Sequence, residues 1–410
     1  MNLSRFVRSC SGCVVGLVAC VVYSPVARGN EDGRGLWDLK RLDQRPAVEP
    51  AESYGAKGIH SVYYQGEPWK EKPTKVFAYY GFPEGASASS KVPGVVCVHG
   101  GSGTAFAEWV KIWNKHGFAA IAMDTNGAVP ESLNENPDNF RHQWAGPPRY
   151  GFGEAKEDAR DQWPYHAVAD VILANSLLRS FPEVDSENVG LTGISWGGYL
   201  TSLTAGIDSR FKFAIPVYGC GYLDDGSSWE QMIEDYGHDR WMKLWDPSSY
   251  LASAAMQTLW INGTNDKHYH LGPFQRTYRL TKGPRYLGIR LRMDHGHASG
   301  WSPPEIYAFA TAAVGRGAPL ISLKDAGQDG YRAWVTVKAP PQVHAKSAEL
   351  LYTKDLGDWV KREWRIAPVQ VELSGRVVGD LPAGASVCYF NVHDDRGLLV
   401  SSEHLEIRQE

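Results

Sequence analysis

The sequence predicts an α/β fold whose sheet is doubly wound and mostly parallel, followed by a smaller all-β unit. Between about residues 58 and 315, strand-like apolar runs alternate with helical patterns. Several of these runs are continuous and β-branched, which is typical of strands that are buried on both faces. After about residue 318 no helical period is apparent, and short strand-like segments are separated by Pro, Gly and Asp turns.

The alternation of strand and helix patterns between about residues 58 and 315 predicts where the individual strands and helices lie. The run "GVVCVHGG" at 94–101 predicts a buried strand, and 105–117 predicts the helix that follows it. Ser302 as N-cap, Pro303 at the first position and Glu305 three residues on predict the start of the last helix. Strands separated by helices favour a parallel sheet covered on both faces. Further strands are predicted at 75–80, 118–124, 188–195, 211–219, 258–263 and 285–293, and further helices at 166–181 and from about 196.

The length of the chain favours two domains, since a domain averages about 150 residues. The pattern predicts an N-terminal extension at 30–57, an α/β domain at 58–317 and a β-sandwich at 318–410. The sandwich is expected to be immunoglobulin- or fibronectin-like. The net charge of −4, with interspersed signs, predicts no nucleic-acid partner.

The N-terminus has the pattern of a secretory signal peptide at 1–29. Arg5 and Arg8 precede an apolar run that is shorter than the roughly 20 residues of a membrane span. Cleavage after Gly29 would release an exported protein, periplasmic or secreted, without a membrane span. The alternative is a lipoprotein anchored at Cys20, because "LVAC" resembles a lipoprotein box, although the run stays apolar after it.

The stretch "GISWGG" contains the pattern G-x-S-x-G, formed by Gly193, Ser195 and Gly197. It lies between a predicted strand and a predicted helix. A serine on such a sharp turn has strained backbone angles, and side chains on its neighbours would collide there. The helix N-terminus beneath the serine favours developing negative charge. We therefore interpret Ser195 as a nucleophile, the alternative being a chance turn.

A glycine-rich turn follows an earlier strand in "VCVHGGSG". It can present backbone N–H groups to an oxyanion, with the N–H of Gly101, or also that of Ser102, paired with the N–H of Trp196. The alternative is a plain turn between strand and helix that needs glycines. A phosphate loop is disfavoured because no Gly-Lys-Ser/Thr follows.

A nucleophilic serine needs a base, and the base needs a group that orients it. Asp266 follows the strand predicted at 258–263, and His295 follows the next strand. The carboxyl ends of parallel strands meet at one edge of a sheet, so both are expected near Ser195. Asp294 and Asp224 are the weaker candidates for the acid.

The stretch "MDHGHASG" offers a second histidine, His297, as an alternative base. We favour His295 because it comes first after the strand and is followed by glycine, which lets the loop fold back over the serine. A zinc site is the competing interpretation of this region. It would leave the serine turn unexplained, so no metal is expected. The residues that could form it are Asp266, His268, His270, His295 and His297.

These stretches resemble the α/β-hydrolase superfamily over roughly residues 58–315. The likeness is to the acetylxylan-esterase and dienelactone-hydrolase-like group, which borders the prolyl oligopeptidase catalytic domain. It implies Ser195 as nucleophile, Asp266 as acid and His295 as base, without a cofactor. The stretches that carry it are "VHGGSGTAFAEWVKIW", "GLTGISWGGYLTS", "VYGCGYL", "NGTNDKHY" and "MDHGHASGWSPPEIYAFA".

Dipeptidyl peptidases of the prolyl oligopeptidase family have a similar D-H-G-x-A-S run with a catalytic first histidine, which also supports His295. Those peptidases carry an N-terminal propeller, which takes roughly 300 residues. Only about 45 residues separate the predicted cleavage site from the strand at 75–80. Dienelactone hydrolase has a cysteine in place of the nucleophilic serine. The cysteine departure disfavours dienelactone hydrolase activity, and the lack of room for a propeller favours an esterase over a peptidase.

The resemblance predicts an exported serine esterase acting on a small-molecule or polysaccharide ester, with an acetylated carbohydrate as the leading substrate. Trp229, Trp241 and Trp245 either wall a sugar pocket or pack the segment that carries them. Two other functions stay open. One is a serine peptidase related to the oligopeptidases, and the other is a non-enzymatic protein that binds surface glycan through the sandwich.

Overall fold

The computed structural model describes residues 35–130, 137–149 and 156–407. The predicted signal peptide and Cys20 lie outside these described residues, as does part of the loop predicted between about 126 and 160. Within the described part of the chain, no helix combines the length and apolarity needed to cross a membrane.

A nine-stranded sheet forms the centre of the molecule, in the order β1-β2-β3-β5-β4-β6-β7-β8-β9. The six strands from β5 to β9 in this order pair in parallel, and the three at the other edge are antiparallel. This confirms the predicted, mostly parallel α/β fold. The strands are β1 Val48–Pro50, β2 His60–Gln65, β3 Lys75–Gly81, β4 Val92–Val98, β5 Ala119–Met123, β6 Val184–Ile194, β7 Phe213–Val217, β8 Gln257–Gly263 and β9 Arg285–Arg290.

Helices cover the sheet. Every residue of β4 and β5 is buried, which requires cover on both faces and explains why their sequences are continuous apolar runs. Helix α3 is buried along nearly its whole length, so it is mostly apolar, and buried polar residues such as Asn175 find partners inside the domain. The helices are α1 Leu39–Leu42, α2 Ala107–Lys115, α3 Trp163–Arg179, α4 Trp196–Ala205, α5 Glu230–Tyr236, α6 His238–Trp245, α7 Leu271–Tyr278, α8 His297–Trp301 and α9 Pro304–Ala313.

Two details differ from the sequence-based expectation. Strand β1 belongs to the central sheet, although residues 48–50 were expected in an N-terminal extension. Helix α9 begins at Pro304 with Pro303 as its N-cap, one residue later than predicted. The reason is the short helix α8, which no periodic pattern indicated. Ser302 ends α8, and its hydroxyl donates to the carbonyl of Ser299 at 2.9 Å instead of capping α9.

The C-terminal part forms two antiparallel sheets, which fits the predicted β-sandwich. One has the order β10-β11-β15-β14 and the other β13-β12-β16-β17, with β18 paired to β16. A separate apolar cluster that includes Val335, Leu350 and Phe390 joins residues of both sheets. The strands are β10 Ser322–Asp329, β11 Arg332–Lys338, β12 Ala345–Thr353, β13 Arg365–Ala367, β14 Val369–Val371, β15 Arg376–Asp380, β16 Val387–Asp394, β17 Leu399–Ser401 and β18 Leu405–Glu406.

The sandwich docks against the edge strand β9 of the central sheet. The N–H of Ile289 donates to Ser401 Oγ at 2.7 Å, and its carbonyl accepts from Asn391 Nδ2 at 3.1 Å. Ser401 Oγ and Asn391 Oδ1 are themselves 2.6 Å apart. Side chains of the second unit therefore satisfy backbone groups that an uncovered edge strand would expose.

Two further histidines are shielded from solvent, His166 almost completely and His142 partly. Burial lowers the pKa of His142 to about 4 and that of His166 to about 4. Neither ring nitrogen of His142 has a hydrogen-bond partner within the described residues. The fold therefore holds these imidazoles in the neutral form.

We predict that removing the two docking side chains destabilises the fold. The double variant Asn391→Ala, Ser401→Ala leaves the N–H and carbonyl of Ile289 buried without these partners, which costs about 2 kcal/mol. The free energy of unfolding, measured by urea denaturation, should fall by that amount. Ser347→Ala on an exposed position of β12 is the control. An unchanged urea midpoint in the double variant would contradict the docking role.

We also predict that acid destabilises the protein through these two shielded histidines. The unfolded chain protonates near the ordinary pKa of 6.5, whereas folded His142 stays neutral to about 4. Stability is therefore complete above pH 6.5 and declines as the pH falls toward 4. The variant His142→Phe should lose less stability between pH 7 and 4.5 than the parent protein in urea titrations. Equal losses in both proteins would refute this linkage.

Candidate active site

Ser195 occupies a sharp turn between β6 and α4. Its backbone angles are φ 59° and ψ −119°, a region that residues with a side chain rarely occupy. The neighbouring glycines are sterically required. A Cβ on Gly193 would lie 2.1 Å from the carbonyl oxygen of Gly197, and one on Gly197 would lie 1.9 Å from that of Val98. The backbone N–H of Ser195 donates to the carbonyl of Val217 at 2.9 Å, which anchors the turn to the adjacent strand.

The structure brings Ser195, His295 and Asp266 together. Ser195 Oγ lies 2.8 Å from Nε2 of His295, and Nδ1 of the same ring lies 2.6 Å from Oδ2 of Asp266. The three residues follow β6, β9 and β8, so they meet where parallel strands end. This is the arrangement of nucleophile, base and orienting acid that an activated serine requires.

The carboxylate of Asp266 is held on both oxygens. Its side chain is fully buried, and Oδ1 accepts the backbone N–H groups of His268 at 2.9 Å and Tyr269 at 2.8 Å. The second oxygen is thereby directed at His295. The other candidate acids lie elsewhere, since Asp224 pairs with a different histidine and Asp294 is exposed.

Tyr218 is a site residue that the sequence did not single out. It follows β7 with a positive φ of 55°, and its ring centroid lies 4.6 Å from that of His295. Its hydroxyl donates to the carbonyl of Asp294 at 2.8 Å, which ties down the loop that carries the imidazole. The only sequence signal was its position directly after a strand that ends at the same edge of the sheet as β6.

His297, the first residue of α8, packs against the glycine-rich turn after β4, and His295 is the histidine that contacts Ser195. Nε2 of His297 accepts the backbone N–H of Gly100 at 2.8 Å. A Cβ on Gly100 would lie 3.1 Å from this nitrogen, and one on Gly103 would lie 2.8 Å from it. The glycines of this turn therefore make room for an imidazole as well as for a bend of the backbone.

The environment of His297 keeps its ring neutral. Burial, followed by the nearby His99 and His295, lowers its pKa to about 3. Because Nε2 accepts a hydrogen bond, the single proton of the neutral ring resides on Nδ1. Burial likewise lowers the pKa of His268, whose ring centroid lies 4.9 Å from that of His295, to about 4.

The two segments that carry the predicted oxyanion donors both adjoin the serine. A Cβ on Gly100 would lie 3.1 Å from Cβ of Ser195, so the turn that continues into Gly101 borders the nucleophile. The carbonyl of Gly101 accepts from Nη1 of Arg149 at 2.8 Å, which ties this turn to the segment before residue 150. Trp196 is the first residue of α4, where backbone N–H groups lack partners within the helix.

The histidines that suggested a zinc site each hydrogen-bond to a different residue. Nδ1 of His268 lies 2.8 Å from Ser228 Oγ, whereas His295 contacts Ser195 and His297 contacts Gly100. In the described ranges no three His, Cys, Asp or Glu side chains group in a way that could hold a metal ion.

One of the three tryptophans lies beside the site. Trp241 and Trp245 are fully buried, and Nε1 of Trp245 donates to Oε1 of Gln162 at 3.0 Å. Trp229 is half-buried and packs between the rings of Trp196 and His268, at centroid distances of 4.7 and 5.8 Å. Packing therefore accounts for two of the residues that could have walled a pocket.

Two curated relatives share parts of this chain. Probable dipeptidyl-peptidase 5 of Aspergillus terreus is 27% identical over 228 residues, which cover 52% of this chain and 28% of that protein. Acetyl esterase Axe7A of Xylanibacter ruminicola is 26% identical over 163 residues, which cover 38% of this chain and 37% of that protein. The alignments thus span well under half of either relative.

Two solved structures have the same fold. Acetyl Xylan Esterase 1 from Thermoanaerobacterium sp. JW/SL YS485 aligns with a TM-score of 0.53 at 18% identity, covering 70% of this chain and 96% of that one. The acetyl xylan esterase from Paenibacillus sp. R4 gives 0.51 at 23%, covering 67% and 92%. At these identities the likeness establishes the α/β-hydrolase fold.

The acetyl xylan esterase (AXE1) family model matches residues 23–265. The matched range includes Ser195 and ends one residue before Asp266. The match covers more than half of the chain, and the sheet order and the serine turn are those of an α/β-hydrolase. The chain therefore belongs to the acetyl xylan esterase (AXE1) family.

Proposed function

We propose that this chain is an exported serine esterase that hydrolyses carboxylic esters of carbohydrates, acetyl esters foremost. The observation that carries the proposal is the hydrogen-bonded series Ser195–His295–Asp266 at the carboxyl edge of the sheet. Membership of the acetyl xylan esterase family supports the acetyl group as the acyl part. The N-terminal pattern of Arg5, Arg8 and a short apolar run supports export to the periplasm or medium.

In the first half of the reaction, His295 Nε2 accepts the hydroxyl proton of Ser195 while Oγ attacks the ester carbonyl carbon. Asp266 holds the imidazole and stabilises its charged form. The backbone N–H groups of Gly101 and Trp196 are the proposed donors to the oxyanion. The intermediate collapses, the carbon–oxygen bond to the sugar breaks, and the leaving alcohol takes the proton from His295.

In the second half, water enters as the nucleophile. His295 removes its proton as the oxygen attacks the acyl-enzyme carbonyl, and the same N–H donors hold the second oxyanion. Collapse returns the proton to Ser195 Oγ and releases the acid. The two half-reactions use these side chains and water, and each leaves the site in its starting protonation state.

A peptidase is the second candidate function, because the Aspergillus dipeptidyl-peptidase aligns with half of this chain. The same serine chemistry would act on an amide, with His295 protonating the leaving amine. Hydrolysis of p-nitrophenyl acetate and of a panel of dipeptidyl and Xaa-Pro p-nitroanilides, compared as kcat/KM, separates the two functions. Turnover confined to the anilides would replace the esterase proposal.

We predict that Ser195→Ala abolishes esterase activity. Loss of the nucleophile should lower kcat for p-nitrophenyl acetate by about 10⁶-fold. Ser202→Ala is the matched control, since this serine lies buried in the same helix and donates to the carbonyl of Gly198. A fluorophosphonate probe should label the parent protein and the control but not Ser195→Ala. A folded parent protein that resists labelling would favour the non-enzymatic glycan-binding alternative.

We further predict that His297 positions the glycine-rich turn. His297→Phe keeps an aromatic ring but removes the acceptor for the Gly100 N–H, so the turn can shift and misdirect Gly101. We expect kcat to fall about ten- to hundredfold, with little change in KM. This is less than the roughly thousandfold fall that complete loss of one oxyanion donor can cause. His297→Gln, which restores an acceptor, should recover part of the loss.

The pH dependence distinguishes this positioning role from a role as base. Because the pKa of His297 is lowered to about 3, its titration lies outside the working range between pH 5 and 9. The shape of the kcat/KM profile should therefore be the same in the parent protein and in His297→Phe. Disappearance of the acidic limb in the variant would instead assign the base to His297.

A further inference from the structure

A cleft of about 610 Å³ opens beside the triad, where the loops after β8 and β9 meet the C-terminal sandwich. Its inner wall includes two triad residues, and its rim includes residues of the short 3₁₀ helix Trp359–Lys361 and the residue after it. Four of the side chains that line it are basic. The triad residues and basic residues are Asp266, His295, Lys267, Arg292, Lys361 and Arg362.

The sandwich segment is fixed to the triad loop by one side chain. Asn265 directly precedes Asp266, and its Nδ2 donates to the carbonyls of Arg362 at 2.8 Å and Val360 at 3.0 Å. The carbonyl of Trp359 lies 3.3 Å from the same nitrogen. The segment is therefore part of the wall of the site.

Arg362 is a buried cation without a paired anion. The residue is 8% exposed, its guanidinium lies 3.6 Å above the ring centroid of Trp359, and Nε donates to the carbonyl of Gly357 at 2.9 Å. Among the described residues Nη1 has no hydrogen-bond partner, and the carboxylates of Glu406, Asp355 and Asp358 act on the guanidinium only as longer-range charges. Burial lowers the pKa of Arg362, against the longer-range pull of nearby carboxylates.

Such an arrangement points to a ligand. A buried charge is normally paired, because its desolvation is otherwise uncompensated. Stacking on Trp359 holds the planar guanidinium in a fixed orientation, and that fork matches the geometry of a carboxylate. The site is therefore preorganised for an anionic group that the protein itself does not supply.

Three other side chains that line the cleft are also positively charged. Lys267 and Arg292 are exposed and make no ion pair among the residues described, and the ammonium of Lys361 lies 3.5 Å from the exposed carboxylate of Asp358. Two acidic residues line the cleft. Asp294 is exposed, whereas Asp266 is buried and hydrogen-bonded to His295. Four basic side chains therefore face two acidic ones in the lining of the cleft.

Building on the esterase function proposed above, we propose that this cleft binds a carboxylate of the substrate, so that the preferred esters are those of acidic oligosaccharides. Arg362, Arg292 and Lys361 are then specificity-determining residues. The cleft reaches His295, whose Nε2 lies 2.8 Å from Ser195 Oγ, so the carboxylate would occupy a sugar unit neighbouring the ester. The C-terminal unit would thereby contribute to substrate recognition.

The test compares two substrates that differ in one group. One is an acetylated xylo-oligosaccharide with a single uronic acid, and the other is the same compound with that carboxylate reduced to the alcohol. For the full-length protein at low salt, we expect kcat/KM for the acidic compound to exceed that for the neutral one about tenfold. In about 0.5 M salt the ratio should shrink, because exposed charges are screened.

Variants then locate the effect. Arg292→Gln combined with Lys361→Gln, both at exposed positions, should lower the acidic-to-neutral ratio about three- to fivefold. Arg362→Lys keeps the charge but loses the planar fork and should lower it as well. Lys346→Gln, an exposed lysine of β12 outside the cleft, is the matched control and should keep the parent ratio.

Two outcomes would overturn the proposal: a ratio near one in the parent protein, or a parent-like ratio in the Arg292→Gln, Lys361→Gln double variant. Failure of the esterase function is seen separately. If neither p-nitrophenyl acetate nor the acetylated oligosaccharides are hydrolysed and the fluorophosphonate probe leaves Ser195 unlabelled, the esterase proposal itself falls. If they are hydrolysed at equal rates with and without the carboxylate, only the cleft proposal falls.

Discussion

The contact between Ser195 Oγ and His295 Nε2 is the interaction on which the proposed chemistry depends, and a steric constraint on the backbone makes it possible. The strained turn at Ser195 exists only because Gly193 and Gly197 let backbone segments approach to distances that a Cβ would forbid. The parallel order of β6, β7, β8 and β9 then brings the acid and the base to the same edge. Packing of the sheet, more than any local preference, fixes the geometry of the triad.

Two kinds of feature could be predicted from the sequence: those with a local sequence pattern, and those that follow from a rule of sheet topology. Continuous apolar strands and the glycines around Ser195 are local, and the rule that parallel strands end at one edge directs Asp266 and His295 there. The hydrogen bond from Gly100 to His297 joins residues 197 positions apart and has no local signal. Helix α8 was missed for a related reason, since five residues containing a glycine show no helical period.

The sequence left two interpretations of the tryptophans open, a wall of a sugar pocket or packing of the segment that carries them. For Trp241 and Trp245 the structure favours packing. Both are buried, and Gln162 at the N-terminus of α3 accepts from Trp245, so their segment is packed onto the domain. Trp229, in the same segment, packs against Trp196 and thus stands beside the serine turn. The three tryptophans are alike in type and lie close together in sequence, and only their positions in the structure distinguish Trp229 from Trp241 and Trp245.

The C-terminal unit contacts the α/β unit at two separate places. The side chains of Asn391 and Ser401 hydrogen-bond to the backbone of Ile289 in the edge strand β9. An edge strand has backbone groups without partners in its own sheet, so these bonds set the position of the sandwich. At the other contact, Asn265 holds the segment with Arg362 against the loop of Asp266. Because the first contact fixes the sandwich on the strand that leads into His295, the second can place a buried cation beside the triad with little freedom to move away.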